Sequence, residues 1–404
     1  MGNAIQFHHM RRAFAITLII ATSSAAIAPA PAPALALAQS KPSRAAMAKY
    51  ETRYYLLHTD LETDKAREAA IRMTKMAEEY ARRTSDFGGG AVRKKLPFYL
   101  FVDPEDYYAL GLPRASAGRY NGAALLAIGQ DFGPKTWHIV QHEGFHQFAD
   151  AAINANLPPW VSEGLAEYFG EAVFTGDGYV TGGIPQWRLE RVRKRFATNE
   201  FKSLREMMNL PMEGWNNELT LVNYDQAWAM VQFLAHGEDG RYRKAFSTFL
   251  GQLGRGQSWQ VAWARTFGDT RGFEEKWRQW WTSLPDNPTA DVYARATVAT
   301  LASFLARATS QGQRFTDFEA FAQAGAAGGV KHHPDDWLPP RLLRQALDSA
   351  QKQTIAGASF TLIEGGEGAT PQVLCVMKDG RKVSGTFALR KGKVASVSAT
   401  VLAQ

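Results

Sequence analysis

The sequence predicts an α+β fold, and three patterns carry that expectation. Strand-like runs alternate with one long amphipathic helix over residues 50–128. Residues 187–284 read as consecutive helices separated by short breaks. Residues 372–401 alternate apolar and polar positions around two glycine turns.

Residues 50–58 alternate aromatics and leucine with polar residues, which is the period of a half-buried strand. Over 62–83, Ala66, Ala69, Met73, Met76, Ala77 and Tyr80 recur at helical spacing. Gly88, Gly89 and Gly90 predict a loop. Residues 96–102, Leu-Pro-Phe-Tyr-Leu-Phe-Val, form a strong strand, with Pro97 near its start, where a missing N–H is tolerated. Residues 120–128 read as another strand. The flanks Trp137, Ile139, Val140, Phe145 and Phe148 predict a buried helix. Pro158 and Pro159 start a second helix, since proline fits the first helical turn.

In the helical stretch, Asn223 is expected as a cap, and Gly237, Gly240 and Gly268 as breaks. Its tryptophans, Trp228, Trp259, Trp263, Trp277, Trp280 and Trp281, are expected to pack. The basic cluster Arg191 to Arg195 predicts a solvated helix face. After residues 285–288 come a helix over 292–308, a short helix around Phe318 and Phe321, a loop over 325–335 and a helix over 342–350. His332 and His333 in that loop are expected to be solvated. Strands over 372–377, 382–389 and 393–401, turning at Asp379-Gly380 and Lys391-Gly392, predict a β-meander.

Eleven tryptophans and a 45% hydrophobic content support a large core. The net charge of +7 is modest and dispersed, and no nucleic-acid module is present, so no nucleic-acid partner is expected. Arg11-Arg12, an apolar run over 13–28 and Ala36-Leu37-Ala38 read as a secretory signal with an A-x-A cleavage site. The run is short for a membrane span, so no stable insertion is expected after cleavage. A periplasmic or extracellular location follows as an expectation. Cys375 is the single cysteine; it permits no internal disulfide and is expected as a small core residue.

The expected organisation is a signal peptide (1–38), a flexible leader (39–48), a catalytic subdomain (49–186), a helical subdomain completing a cleft (187–285) and an accessory region of helices and meander (286–404).

The chemistry concentrates in His142-Glu143-Gly144-Phe145-His146. On a helix, His142 and His146 lie one turn apart on one face. Two neutral imidazoles at about 2.0–2.1 Å can hold one Zn²⁺. Glu143 stands where a carboxylate can take a proton from the attacking water. HExxH on a helix is a zinc peptidase signature. After sixteen intervening residues, Glu163 interrupts an apolar stretch of Trp160, Val161, Leu165, Ala166, Tyr168 and Phe169, as does Glu167 one turn later. Buried carboxylates in such a stretch need partners.

HEGFHQF followed by WVSEGLAEYF resembles the gluzincin branch of zinc metallopeptidases, and most nearly the secreted bacterial peptidase-MA-like proteins of unknown function. The resemblance implies a zincin-like subdomain, a small mixed sheet over the metal helix. It implies Glu163 as third ligand beside His142 and His146, one Zn²⁺, and Glu167 as hydrogen-bond partner of His142. It also implies that the strand before the metal helix pairs with extended substrate. The segment Val222-Asn223-Tyr224-Asp225-Gln226-Ala227 resembles the aminopeptidase string whose Tyr donates to the oxyanion, which makes Tyr224 a candidate donor.

Departures are visible too. The spacing to Glu163 is shorter than in the aminopeptidases, and the Gly-x-Met-Glu-Asn string that holds a free amine is absent. The expected activity is therefore zinc-dependent hydrolysis of peptide or protein substrates, with endopeptidase preferred over aminopeptidase action. Two alternatives stand beside it: a zinc hydrolase of a non-peptide envelope amide, and a catalytically silent zincin-fold binding protein.

Overall fold

A computed structural model describes residues 47–85, 91–153, 157–218, 220–366 and 369–402. The expected signal segment, most of the leader and the 88–90 glycine loop lie outside the described residues. The fold is α+β, with a five-stranded mixed sheet, a helical middle and a four-stranded antiparallel meander.

The first sheet has the order β1-β2-β3-β5-β4, from β1 (Ala48–Glu51), β2 (Tyr55–Thr59), β3 (Leu96–Phe101), β4 (Gly118–Tyr120) and β5 (Leu125–Ile128). The β2/β3 and β3/β5 pairs are parallel, and the outer pairs β1/β2 and β4/β5 antiparallel. Each of the strands expected over 50–58 and 120–128 is in fact a strand pair. Thr52 Oγ1 accepts from Tyr55 N at 2.9 Å and breaks the first run. Asn121 Oδ1 accepts from Ala123 N and Ala124 N at 3.0 and 2.8 Å, and Gly122 turns with φ +85°. This is an Asx turn followed by a residue in the left-handed region.

Helix α1 (Thr63–Arg83) packs its Ala/Met face onto α3 (Pro134–Ala152), the helix carrying the HExxH string. The packing explains Gly144 inside that string: a Cβ there would stand 2.7 Å from Met73 Cε and 3.1 Å from Tyr80 Oη. A short helix, α2 (Pro104–Tyr108), lies between β3 and β4. Helix α4 (Pro159–Gly170) has Pro159 at its first turn and packs on α3. Gln141 of α3 donates its side-chain amide to the carbonyls of Phe169, Gly170 and Ala172 at 3.0–3.1 Å. Those carbonyls lie at and just beyond the C-terminal end of α4, where intrahelical donors run out, so the contact fixes α4 along α3.

After the two-stranded β6 (Val173–Phe174) and β7 (Tyr179–Val180) come α5 (Gln186–Ala197), α6 (Leu204–Asn209), α7 (Met212–Glu218) and α8 (Leu221–Gly240). Thr220, not Asn223, is the N-cap of α8; Asn223 is buried within its first turn and accepts from Lys202 Nζ at 3.1 Å. Gly237 does interrupt the helix. A Cβ at Gly164 would meet Ala227 O at 2.6 Å, so α4 and α8 approach closely there. Trp228, Trp263, Trp277 and Trp281 are fully buried among α8, α9 (Arg243–Gly254), α10 (Trp259–Thr266) and α11 (Thr270–Ser283).

The C-terminal region contains α12 (Ala290–Ser310), α13 (Phe318–Ala326), α14 (Pro340–Ile355) and strands in the order β11-β10-β9-β8. Three of these strands, β9 (Gln372–Val376), β10 (Lys382–Arg390) and β11 (Lys393–Leu402), match the expected meander; β8 (Ser359–Ile363) is a fourth. The region is clamped to the rest. Arg307 pairs with Asp177 at 2.8 Å and Asp336 at 2.7 Å, and Arg341 pairs with Glu68 at 2.7 Å and donates to Phe132 O at 2.8 Å. One apolar cluster runs from Tyr55 to Phe387. Cys375 is buried in it, its thiol pushed up to about 11 by that burial. Among the described residues no helix is long and apolar enough to cross a membrane.

Candidate metal centre

Helices α3 and α4 bring His142, His146 and Glu163 together. His142 Nε2 lies 3.2 Å from His146 Nε2, and Glu163 Oε2 lies 3.3 and 3.4 Å from those two nitrogens. The three atoms form a nearly equilateral triangle. Three ligands of a tetrahedral zinc ion, each about 2.0–2.1 Å from it, stand about 3.3–3.4 Å apart. The spacing present therefore fits that ion.

Burial sharpens the fit. His142, Glu143 and Glu163 are 0–1% exposed. Glu163 Oε2 and Glu143 Oε1 are buried without a hydrogen-bond partner. A desolvated carboxylate oxygen in that condition is costly unless a cation meets it. The electrostatics favour positive charge at this point. Burial opposes charging His142, but the adjacent Glu163 and Glu167 carboxylates outweigh it and push the imidazole up to about 10. Burial likewise opposes ionising Glu163, yet His146 and His142 hold it down at about 2. Glu167 and Glu171 pair with Arg188, and Asp225 with Arg191 and Arg195, so these outer carboxylates have their own cations.

Glu143 is oriented from the sheet. Its Oε2 accepts from the backbone N–H of Tyr120, on edge strand β4, at 2.8 Å. Ser116 Oγ donates to Gly118 O at 2.8 Å on the same strand. The edge expected to pair with substrate thus already spends two backbone groups within the chain. His146 Nδ1 lies 3.3 Å from Ser162 Oγ. The His146 side chain is 13% exposed, so solvent reaches the cluster from its side.

Glu167 lies on the far side of His142, with Oε1 3.1 Å from Nδ1. Burial would raise its carboxyl, but Arg188 and His138 outweigh that and hold it well below the ordinary carboxylate range. Tyr224, buried on α8, has its ring 6.2 Å from the His142 ring and 5.3 Å from Trp215. All six residues singled out from the sequence therefore converge on one region.

Sequence reasoning missed three others. His138 stands one turn before His142 on α3, with its ring nitrogens 3.6 Å from Glu167 Oε2 and 3.5 Å from Glu171 Oε1. The signal was the i−4 spacing. Arg188 is 1% exposed and bonds both Glu167 and Glu171. Asp225, fully buried, takes Arg191 and Arg195, the latter at 2.6 Å. The expected solvated face of α5 is thus, at Arg191 and Arg195, a set of ion pairs turned inward.

A cavity of about 950 Å³ lies behind this network, away from Glu163 and His146. Trp137, His138, Glu171 and Arg188 line one side, and Tyr293 of α12 and Leu342 of α14 the other. The C-terminal region thereby lines a space that Glu167 also borders.

The site is a buried His/Glu grouping that could hold a metal ion. Residues 137–258 match the model of a family described as a protein of unknown function, DUF1570. That span contains His142, Glu143, His146, Glu163, Glu167, Arg188, Tyr224 and Asp225. No curated protein and no solved structure matches the chain.

Proposed function

We propose that this protein is a zinc-dependent hydrolase of peptide bonds, acting as an endopeptidase outside the cytoplasm. The observation that carries the reading is the His142–His146–Glu163 triangle beside a buried Glu143 oxygen that has no hydrogen-bond partner. The resemblance to gluzincins and the N-terminal export features of the sequence support it from independent segments.

His142 Nε2, His146 Nε2 and Glu163 Oε2 would hold Zn²⁺. The ion, when bound, supplies a Lewis acid that acidifies water to near neutral pH and polarises a carbonyl. The chain supplies the rest. Tyr120 N–H fixes one oxygen of Glu143, leaving Oε1 to take the proton from water and later deliver it to the leaving amine. Glu167 Oε1, 3.1 Å from His142 Nδ1, would take its N–H and set which ring nitrogen faces the triangle. Tyr224 is the candidate donor to the oxyanion.

Casein or an unbiased peptide library provides the test, with wild type set against Glu143→Gln. The reading expects one zinc in both proteins and a fall in kcat of about 10²–10⁴ in the variant. Full turnover in Glu143→Gln would refute the base. Zinc-loaded wild type that cleaves no peptide would favour a non-peptide amide substrate or a silent binding protein.

A further inference from the structure

We infer that Arg188 is a positioning residue for the zinc site, its guanidinium fixing the Glu167 carboxylate that orients His142. The inference rests on the zinc reading above and adds a residue from a third helix.

Arg188 projects from α5 into a fully enclosed place. Its Nη2 donates to Glu167 Oε2 and its Nη1 to Glu171 Oε1 at 2.6 Å. Its Nε lies 4.0 Å from Asp225 Oδ1, and its plane sits 4.1 Å from the Trp228 ring centre. Glu171, the C-cap of α4, lies four residues after Glu167, so a planar fork can take one oxygen from each. The oxygens of Glu167 are then divided: Oε2 is held by Arg188, and Oε1 faces His142 Nδ1 at 3.1 Å. Rotation of the carboxylate would break both contacts at once. The ring of His142 is therefore held through Glu167 by a guanidinium that touches neither imidazole of the triangle.

The arrangement also decides how to read a second convergent group, His138, His142 and Glu167. Arg188 already occupies Glu167 Oε2 and Glu171 Oε1, the oxygens that His138 faces at 3.6 and 3.5 Å. A second cation there would have to share Glu167 Oε2 with the guanidinium. Asp225 of α8, held by Arg191 and Arg195, lies 4.0 Å from Arg188 Nε.

Competition of the full-length protein with a chromophoric chelator for zinc tests the inference. The proteins are wild type, Arg188→Met, Arg188→Lys, Glu167→Gln, and Glu167→Gln carrying Arg188→Met. Loss of an outer partner of this kind weakens metal binding by about 10–100-fold, which is expected for Arg188→Met. Arg188→Lys should fall between, because an ammonium keeps the charge but cannot fork. In the Glu167→Gln background, Arg188→Met should add less than about threefold, since residues that act in series are non-additive. A purely structural arginine would lower stability and leave zinc affinity unchanged, or its effect would add to that of Glu167→Gln; either outcome overturns the inference. Should Arg188→Met fail to fold, Arg188→Lys alone and on Glu167→Gln completes the same cycle. Wild type that binds no zinc removes the underlying reading as well. Wild type that binds zinc as tightly as its Arg188 variants removes Arg188 alone.

Discussion

Glu163 Oε2 stands 3.3 Å from His142 Nε2, yet the two residues belong to separate helices that start from separate prolines. The meeting depends on how α4 is set against α3 and α8. Gln141 fixes one end of α4 through three carbonyls, and Gly164, next to Glu163, admits α8. The candidate metal centre is thus a product of helix packing, and its tests divide between packing and chemistry.

Gly164→Ala tests the packing. The added methyl would meet Ala227 O at 2.6 Å and Val231 Cγ2 at 2.7 Å, and a backbone oxygen cannot swing aside. The two helices must separate, at about 1–3 kcal/mol of stability. Urea unfolding measures it. A change within about 0.5 kcal/mol, the range of ordinary surface substitutions, would contradict the close approach.

Tyr224→Phe tests the chemistry. If the phenol donates to the oxyanion, kcat falls by about 10²–10³ while zinc content and KM stay near wild type. Equal loss in zinc affinity and kcat would instead assign Tyr224 to packing beside His142 and Trp215.

The pH dependence of stability has a residue of its own. His236 sits with Nε2 2.9 Å from Tyr168 Oη, and burial, aided by Arg83, Arg243 and Arg295, pushes it down to about 4. The folded ring stays neutral where the unfolded ring, with an ordinary value near 6.5, takes a proton. Its contribution is therefore complete above about pH 6.5 and lost as pH falls toward 4, at most about 3 kcal/mol. Urea midpoints at pH 7.5 and 4.5 should diverge less in His236→Gln than in wild type. Equal divergence would show that His236 is not the source.

Much of the candidate centre was legible because HExxH compresses two histidines and a glutamate into one helical turn, where spacing alone fixes the face. Glu163 and Glu167 were legible as charges interrupting an apolar helix. Arg188 and Asp225 were not. A stretch such as WRLERVRKR has the composition of a solvated helix, and only contact with another helix turns its arginines inward. Strand β8 escaped for a related reason: it is short and largely exposed, and its place comes from pairing with β9. The hairpin at Asn121-Gly122 did carry a local sign, since Asn-Gly favours a turn, but the surrounding apolar run read as continuous.

The most direct measurement is the zinc content of the purified full-length protein after exhaustive dialysis, wild type beside Glu163→Ala. The account predicts one zinc per chain in wild type and essentially none in the variant, with both proteins folded by circular dichroism. Retention of one zinc by Glu163→Ala, or none in wild type after incubation with the metal, would contradict it.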